Sequence, residues 1–334
     1  MSTIEIKNFI IHTLNTAIDT PTLSEKIHSD NKSVEKYLQK HITKIMADTS
    51  LKNASFIQNS EVLKECKFLK SDINNFANVS QELATSLFQI MKMYSNIPAG
   101  DVVFCTFEMG EIPYFGMLKL KYKSSFIHNI KNSNNIRYIE IQSVDGVLPS
   151  TSQKIDESFF VNLDDFAIKV LENTKLVNSQ QAPYLPSSFL KCTTVYSEKE
   201  NVDSLLHVID QFSKEYLDEK TIKSIQLSKA IAESVEETRS IIIEDIADDV
   251  FFDDPEIKKD LIQEVINSGI KDAEIVISDK TAKRKTFKIQ KLETDDGIEI
   301  NLPYEVYGNV DKIEFIINDD GTTSIIIKNV KVIA

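Results

Sequence analysis

Residues 101–141 constrain the fold of this chain most strongly, because they hold two adjacent β-strand patterns. Residues 102–105 form an apolar run, and residues 117–123 alternate apolar side chains with lysines. Such alternation is typical of a strand that has one wet face. The connection at 108–113 contains a glycine, so the sequence predicts a β-hairpin here and a third strand at 136–144.

The same stretch is the clearly basic part of an acidic chain. Residues 112–139 contain no Asp or Glu, and the formal net charge of the whole chain is -13. The basic residues of the stretch are Lys119, Lys121, Lys123, Lys131 and Arg137. The three lysines that alternate along the strand are expected on one face, roughly 6.6 Å apart, close to the ~7 Å between phosphates of one nucleic-acid strand. The asparagines that could add uncharged donors to phosphate are Asn132, Asn134 and Asn135.

A second basic cluster precedes a predicted strand near the end of the chain. It consists of Lys283, Arg284 and Lys285, with Lys288 close by. Neither cluster requires a ligand. The lysines of the central strand can simply keep the sheet soluble, and those at 283–288 can belong to a charged loop before a strand. Neither cluster matches a helix-turn-helix, zinc-finger or RNA-recognition signature. If they bind nucleic acid, we expect contact with backbone phosphate and little sequence preference.

Length and composition limit the class of protein. A chain of 334 residues predicts about two domains, and 42% hydrophobic residues suffice for buried cores. The sequence lacks a run of about 18 apolar residues, so we expect no membrane contact. Its first residues lack the features of a secretory signal. Three widely spaced cysteines fit a reducing cytoplasm.

The predicted fold class is α+β: a mixed N-terminal α+β unit with an antiparallel sheet, a helical middle and a small β-rich C-terminal unit. The predicted N-terminal domain with the central hairpin spans 1–177. Two prolines among small polar residues indicate a linker at 178–188. Beyond it we expect an acidic helical region at 189–270 and a β-rich region at 271–334.

Several elements have specific sequence signatures. Apolar residues spaced three and four apart predict a helix at 33–48, and Ser60 can cap the next helix. A third helix is expected from Ser80. Asp254 followed by proline predicts a helix start. The Asp-Gly pair at 320–321, between two β-branched runs, predicts a hairpin.

The search for catalytic chemistry finds little. The sequence has no zinc-site spacing, nucleotide-binding glycine loop or hydrolase motif. Cys105 lies in an apolar strand and is expected to be a buried thiol. A solvated helix face explains the seven acids at 244–256, and turns explain the Asp-rich segments 294–297 and 318–321. We therefore predict no metal, no cofactor and no enzymatic activity; a metal-dependent phosphodiesterase on the Asp-rich loops is the weakest alternative.

The order of motifs along the chain resembles the bacterial 37-kilodalton nucleoid-associated protein family, in particular the versions typical of Firmicutes. The motifs are IIHTL, PTLS, YLQKHITKIMADTSLKNASF, GDVVFCTF with YFGMLKLKYKSSFIH, DQFSKEY, IADDVFFDDPE and the C-terminal FKIQKLETDDGIEINLPYEVYG with IEFIINDDGTTSIIIKNV. The resemblance implies a cytoplasmic, nucleoid-associated protein that binds DNA. The resemblance does not assign a catalytic or binding role to any residue of this sequence.

The acidity of the chain opposes the coating of DNA. Residues 201–270 hold 7 Lys+Arg against 17 Asp+Glu, a net charge of -10. This region either faces away from a duplex or docks basic partners. The leading hypothesis is a non-enzymatic protein that binds double-stranded DNA; the alternative is an acidic adaptor that recruits other nucleoid or DNA-processing proteins. A homodimer is compatible with both hypotheses.

Overall fold

The computed structural model describes residues 3–29, 31–94, 97–133, 136–172, 183–216, 221–306 and 309–331. The chain divides into two compact units, Met1–Ser197 and Glu198–Ala334. The elements of the first unit are β1 (Ile4–Leu14), α1 (Lys32–Met46), β2 (Lys52–Phe56), α2 (Glu61–Ser71), α3 (Phe76–Met93), β3 (Gly100–Met109), β4 (Ile112–Lys121), β5 (Lys123–Ser133), β6 (Ile136–Val147), β7 (Glu157–Asn162), β8 (Ile168–Glu172), a π-helical turn (Leu185–Leu190) and β9 (Cys192–Thr194).

Within the described part of the first unit, seven antiparallel strands form one sheet in the order β1-β3-β4-β7-β8-β2-β9. Helix α1 packs on one face of this sheet, while α2, α3 and the π-helical turn pack on the other. Both faces are therefore buried. This burial explains the continuous apolar run of β3, where Val102 and Phe104 point to one layer and Val103 and Cys105 to the other.

In the part of the chain that the structure describes, strands β5 and β6 pair only with each other and form a separate two-stranded sheet. We call this pair the β-arm. The arm leaves the main sheet after β4 and returns to it before β7. With 11 residues in β5 it is about 35 Å long. Its side chains are exposed on both faces, except Asn129 and Val144, which are half-buried.

The second unit begins with helices and ends with short hairpins. Its elements are α4 (Glu198–Tyr216), α5 (Thr221–Glu237), β10 (Ser240–Ile241), α6 (Ile243–Val250), α7 (Pro255–Asn267), β11 (Ile275–Val276), α8 (Asp279–Ala282), β12 (Ile289–Glu293), β13 (Glu299–Pro303), β14 (Ile313–Ile317) and β15 (Thr323–Ile327). Leu205 and Phe212 of α4 pack in its core with Phe251 and Leu261. The predicted α+β class is confirmed.

Several local predictions are confirmed. Strands β3 and β4 form the predicted hairpin, and β14 and β15 form the one that closes at Gly321. Ser60 accepts a hydrogen bond from the Leu63 N–H (3.2 Å), and Asp254 accepts one from Ile257 (3.2 Å). The predicted strand at 136–144 exists as β6, but it pairs with β5 instead of extending the main sheet. Helix α3 begins at Phe76, before the predicted Ser80.

The predicted domain boundaries stay predictions. Residues 178–182 of the predicted linker lie outside the described residues. The remainder of that segment packs against the first unit: Tyr184 and Leu185 are buried in its core. The Glu172 carboxylate accepts hydrogen bonds from the N–H groups of both residues (3.0 and 2.9 Å).

Candidate nucleic-acid interface

Lys119 is a buried residue, and its predicted place on a wet face was wrong. The residue is 1% exposed, and its Nζ lies 2.6 Å from Oε2 of Glu157, the residue directly opposite on β7. The Tyr184 hydroxyl lies 3.3 Å from the same Nζ. Burial lowers the pKa of Lys119, and the Glu157 carboxylate opposes that shift. Because the segment containing Tyr184 covers this face of the sheet, the Lys119 ammonium group is not exposed to solvent.

Lys121 lies at the edge of the same buried site. Its Nζ contacts Asp156 (2.9 Å) and Glu157 (3.7 Å), and its side chain is 35% exposed. Burial lowers its pKa, but the two carboxylates outweigh this effect, and the pKa is raised. The charge of Lys121 is therefore already balanced by acids within the protein.

The other basic residues of the central stretch lie on the β-arm. Lys123 begins β5 at the base of the arm and is exposed. Lys131 forms an ion pair with the Glu140 carboxylate. Arg137 lies opposite Asn132 toward the far end of the arm, is exposed, and has no ion pair among the described residues. Asn134 and Asn135 lie outside the described residues.

The C-terminal basic cluster surrounds the end of α8. Arg284 donates a hydrogen bond to Asp203 (2.6 Å). Lys283, Lys285 and Lys288 are exposed. Three ammonium groups thus remain available to a ligand on the second unit.

A further row of lysines on α1 was missed from the sequence. Lys32, Lys36, Lys40 and Lys44 recur every four residues, which places them about 6 Å apart along the helix axis. All four are exposed; Lys44 donates to the Thr151 carbonyl, whereas the other three have no ion pair among the described residues. The spacing in the sequence could have revealed this row, but the apolar face of the helix dominated the pattern.

The acidic segment forms an exposed surface on α6 and the start of α7. Its exposed acids are Glu244, Asp245, Asp248, Asp249, Asp253 and Glu256. Among them Phe252 is 79% exposed, while Phe251 beside it is buried. Asp248 pairs with Lys258, and Asp253 with Lys223 (2.9 Å). An apolar side chain within an acidic surface suits a basic protein partner better than a duplex.

The structure offers few reactive groups. Cys105 is buried as predicted, and burial raises the pKa of its thiol to about 12. Burial also raises the pKa of Cys192, to about 11. Within the described ranges, no three His, Cys, Asp or Glu side chains cluster in a way that could hold a metal ion. In the same residues, every helix is too short or too polar to span a bilayer.

Comparisons with known proteins place the chain in a family. A family model described as nucleoid-associated protein YejK matches residues 10–332, which is nearly the whole chain. A search among curated proteins found no match.

Proposed function

The chain belongs to the nucleoid-associated protein YejK family, and from this premise we propose that it is a non-enzymatic protein that binds double-stranded DNA in the cytoplasm. The family match over residues 10–332 is the observation that carries the proposal. We expect contacts with backbone phosphate and little sequence preference, because the exposed basic groups lie on surfaces without a base-reading motif. That it is the Firmicutes version of the family stays a prediction.

Three basic surfaces support this proposal. They are the α1 row (Lys32, Lys36, Lys40), the β-arm (Lys123, Lys131, Arg137) and the C-terminal cluster (Lys283, Lys285, Lys288). Lys121, Lys131 and Arg284 are weaker candidates because each already pairs with an acid. Lys119 is left out because it is buried. A homodimer would present each surface twice to one duplex, which raises the effective affinity.

Fluorescence anisotropy with a short random duplex, from about 50 to 300 mM salt, tests this proposal. Three double variants remove exposed charges: Lys36→Gln/Lys40→Gln, Lys123→Gln/Arg137→Gln and Lys283→Gln/Lys285→Gln. Each phosphate contact that is lost should make the slope of log K against log salt shallower by about 0.9. We expect at least one variant to lose several-fold affinity, with a shallower slope.

The matched control is Lys214→Gln/Lys229→Gln. It removes the same charge from exposed or half-exposed lysines that pair with Asp210 on α4 and Glu233 on α5. A general effect of net charge would weaken this control as much as the three test variants. Absence of binding by the wild type at the lowest salt would refute direct DNA contact.

The alternative function is an adaptor for basic nucleoid or DNA-processing proteins. The exposed Phe252 among acids on α6 and α7 favours it. Replacing Phe252 by Ser and Asp245 and Asp249 by Asn should abolish capture of such a partner and leave DNA affinity unchanged or slightly higher. Pull-down with candidate basic nucleoid proteins, in parallel with anisotropy, separates the two functions.

A further inference from the structure

The two faces of the β-arm have opposite chemistry. Residues directly opposite in an antiparallel ladder share a face, so the pairs Phe126–Ser143, His128–Ile141, Ile130–Ile139 and Asn132–Arg137 lie on one side. We call this side the apolar face of the arm. Its four large apolar side chains are 53–75% exposed. It carries no acid and no lysine.

The opposite side of the arm is polar and makes its own contacts. Asn129 donates a hydrogen bond to Gln142 (2.6 Å), and Lys131 pairs with Glu140. Ile127, Ile136 and Tyr138 are 43–65% exposed there, but the Asn129–Glu140 pair separates Ile127 from the other two. The polar side is therefore better suited to water than the apolar face.

The apolar face is too large to be left in water without consequence. Phe126, Ile130, Ile139 and Ile141 together expose roughly 500 Å², near the upper end of apolar patches on monomeric proteins. An isolated two-stranded hairpin is also only marginally stable in water unless a third strand or another surface packs on it. The arm thus needs a cover, and among the described residues none lies over it.

We propose that the apolar face of the arm packs against the same face of a second copy of this chain. Two such faces would bury roughly 1,000 Å² of apolar surface, which is about the minimum for a specific interface. DNA suits this face less, because isoleucine offers nothing to a phosphate. A two-fold contact uses one patch on both subunits, so the patch must complement itself.

The order of side chains along the arm selects an antiparallel arrangement of the two arms. In this arrangement the isoleucines pack at the centre, and Phe126 of each copy faces the row of the other copy that contains Asn132 and Arg137. The planar guanidinium can stack on the ring and still direct its N–H edge toward solvent or phosphate. A parallel arrangement would bring two Arg137 charges together.

Sedimentation equilibrium of the full chain without DNA tests the proposal. The wild type should dimerise, and Ile139→Thr/Ile141→Thr should weaken dimerisation at least tenfold. Threonine keeps the β-branch, so the strand preference of the arm is preserved. The matched control Ile127→Thr/Ile136→Thr makes the same change on the polar side and should dimerise like the wild type.

A wild type that stays monomeric at about 100 μM would overturn the proposal. So would equal weakening by both double variants, or a dimer that the apolar-face variant leaves intact. If the apolar-face variant lost only DNA affinity, the face would contact DNA instead. The readings from sedimentation do not depend on whether the wild type binds DNA.

Disulfide trapping tests the direction of the two arms. A mixture of Phe126→Cys and Asn132→Cys chains should form a mixed disulfide, because these two β5 positions face each other when the arms are antiparallel; neither chain alone should cross-link with high yield. The native Cys66 and Cys105 are buried, and the partly exposed Cys192 is replaced by serine in every chain. Efficient cross-linking of Phe126→Cys with Ser143→Cys chains would show a parallel arrangement and refute the antiparallel one.

Discussion

Replacing Lys119 by Met should destabilise the first unit strongly while leaving any DNA contact unchanged. Methionine has nearly the same length as lysine, so packing is retained and the loss of the ammonium group dominates. The Glu157 carboxylate, which has 0% of its side chain exposed, would then lose its 2.6 Å ion pair. It would keep only the hydrogen bond from the Tyr184 hydroxyl (3.2 Å) and Lys121 at 3.7 Å.

Removing one partner of a buried ion pair typically costs about 3–5 kcal/mol. The Tyr184 hydroxyl and Lys121 still contact the Glu157 carboxylate, so we expect the free energy of unfolding to fall by about 3 kcal/mol, at the lower end of this range.

The double variant Lys119→Met/Glu157→Gln supplies the control. Its amide oxygen can still accept from Tyr184, and no buried charge is left alone. Replacement of a whole buried pair by uncharged groups is often neutral, so this variant should recover most of the lost stability. The coupling energy from the double-mutant cycle should be about 2 kcal/mol or more.

Urea unfolding at pH 7, followed by circular dichroism, measures these changes. Hydrogen exchange of peptides from β4 and β7 reports on the first unit alone, because the two units can unfold in separate steps. A Lys119→Met protein within about 0.5 kcal/mol of the wild type would refute the buried-pair argument. If it kept its stability but lost DNA affinity, Lys119 would be a phosphate contact after all.

Two further predictions concern buried groups of the first unit. Burial lowers the pKa of His12 to about 4. The unfolded chain therefore binds more protons between pH 6.5 and 4, and stability should fall by about 3 kcal/mol as the pH drops through this range. Urea midpoints at several pH values should show this fall, and a flatter fall for His12→Gln; parallel profiles would contradict it. Gly116→Ala should lower the melting temperature by several degrees, because its Cβ would lie 2.4 Å from the Phe160 ring and 2.9 Å from the Phe159 carbonyl. A change below about 2 °C in calorimetry would contradict that expectation.

Local features of the fold were predictable because they depend on neighbours in the sequence. The cap of α2 at Ser60 and the start of α7 at Asp254 need only a side-chain oxygen a few residues before the N–H it accepts from. The β14–β15 hairpin needs an Asp-Gly pair between two apolar runs. Strand β5 was missed because one residue, Tyr122, separates it from β4, so that the two read as a single run.

The sequence by itself determined which side chains share a strand face, since alternate residues of a strand always point the same way. It therefore placed Met117 and Lys119 on one side of β4. Only the tertiary structure decided that this side is dry, because Tyr184, 65 positions further along the chain, covers it, and Glu157 on a neighbouring strand neutralises the lysine. The β-arm shows the reverse: its isoleucines look like core residues in the sequence, but no described part of the chain folds over them. Local periodicity specifies the direction in which each side chain points. Whether that side chain is buried depends on which distant segment, or which second molecule, packs against its face of the strand.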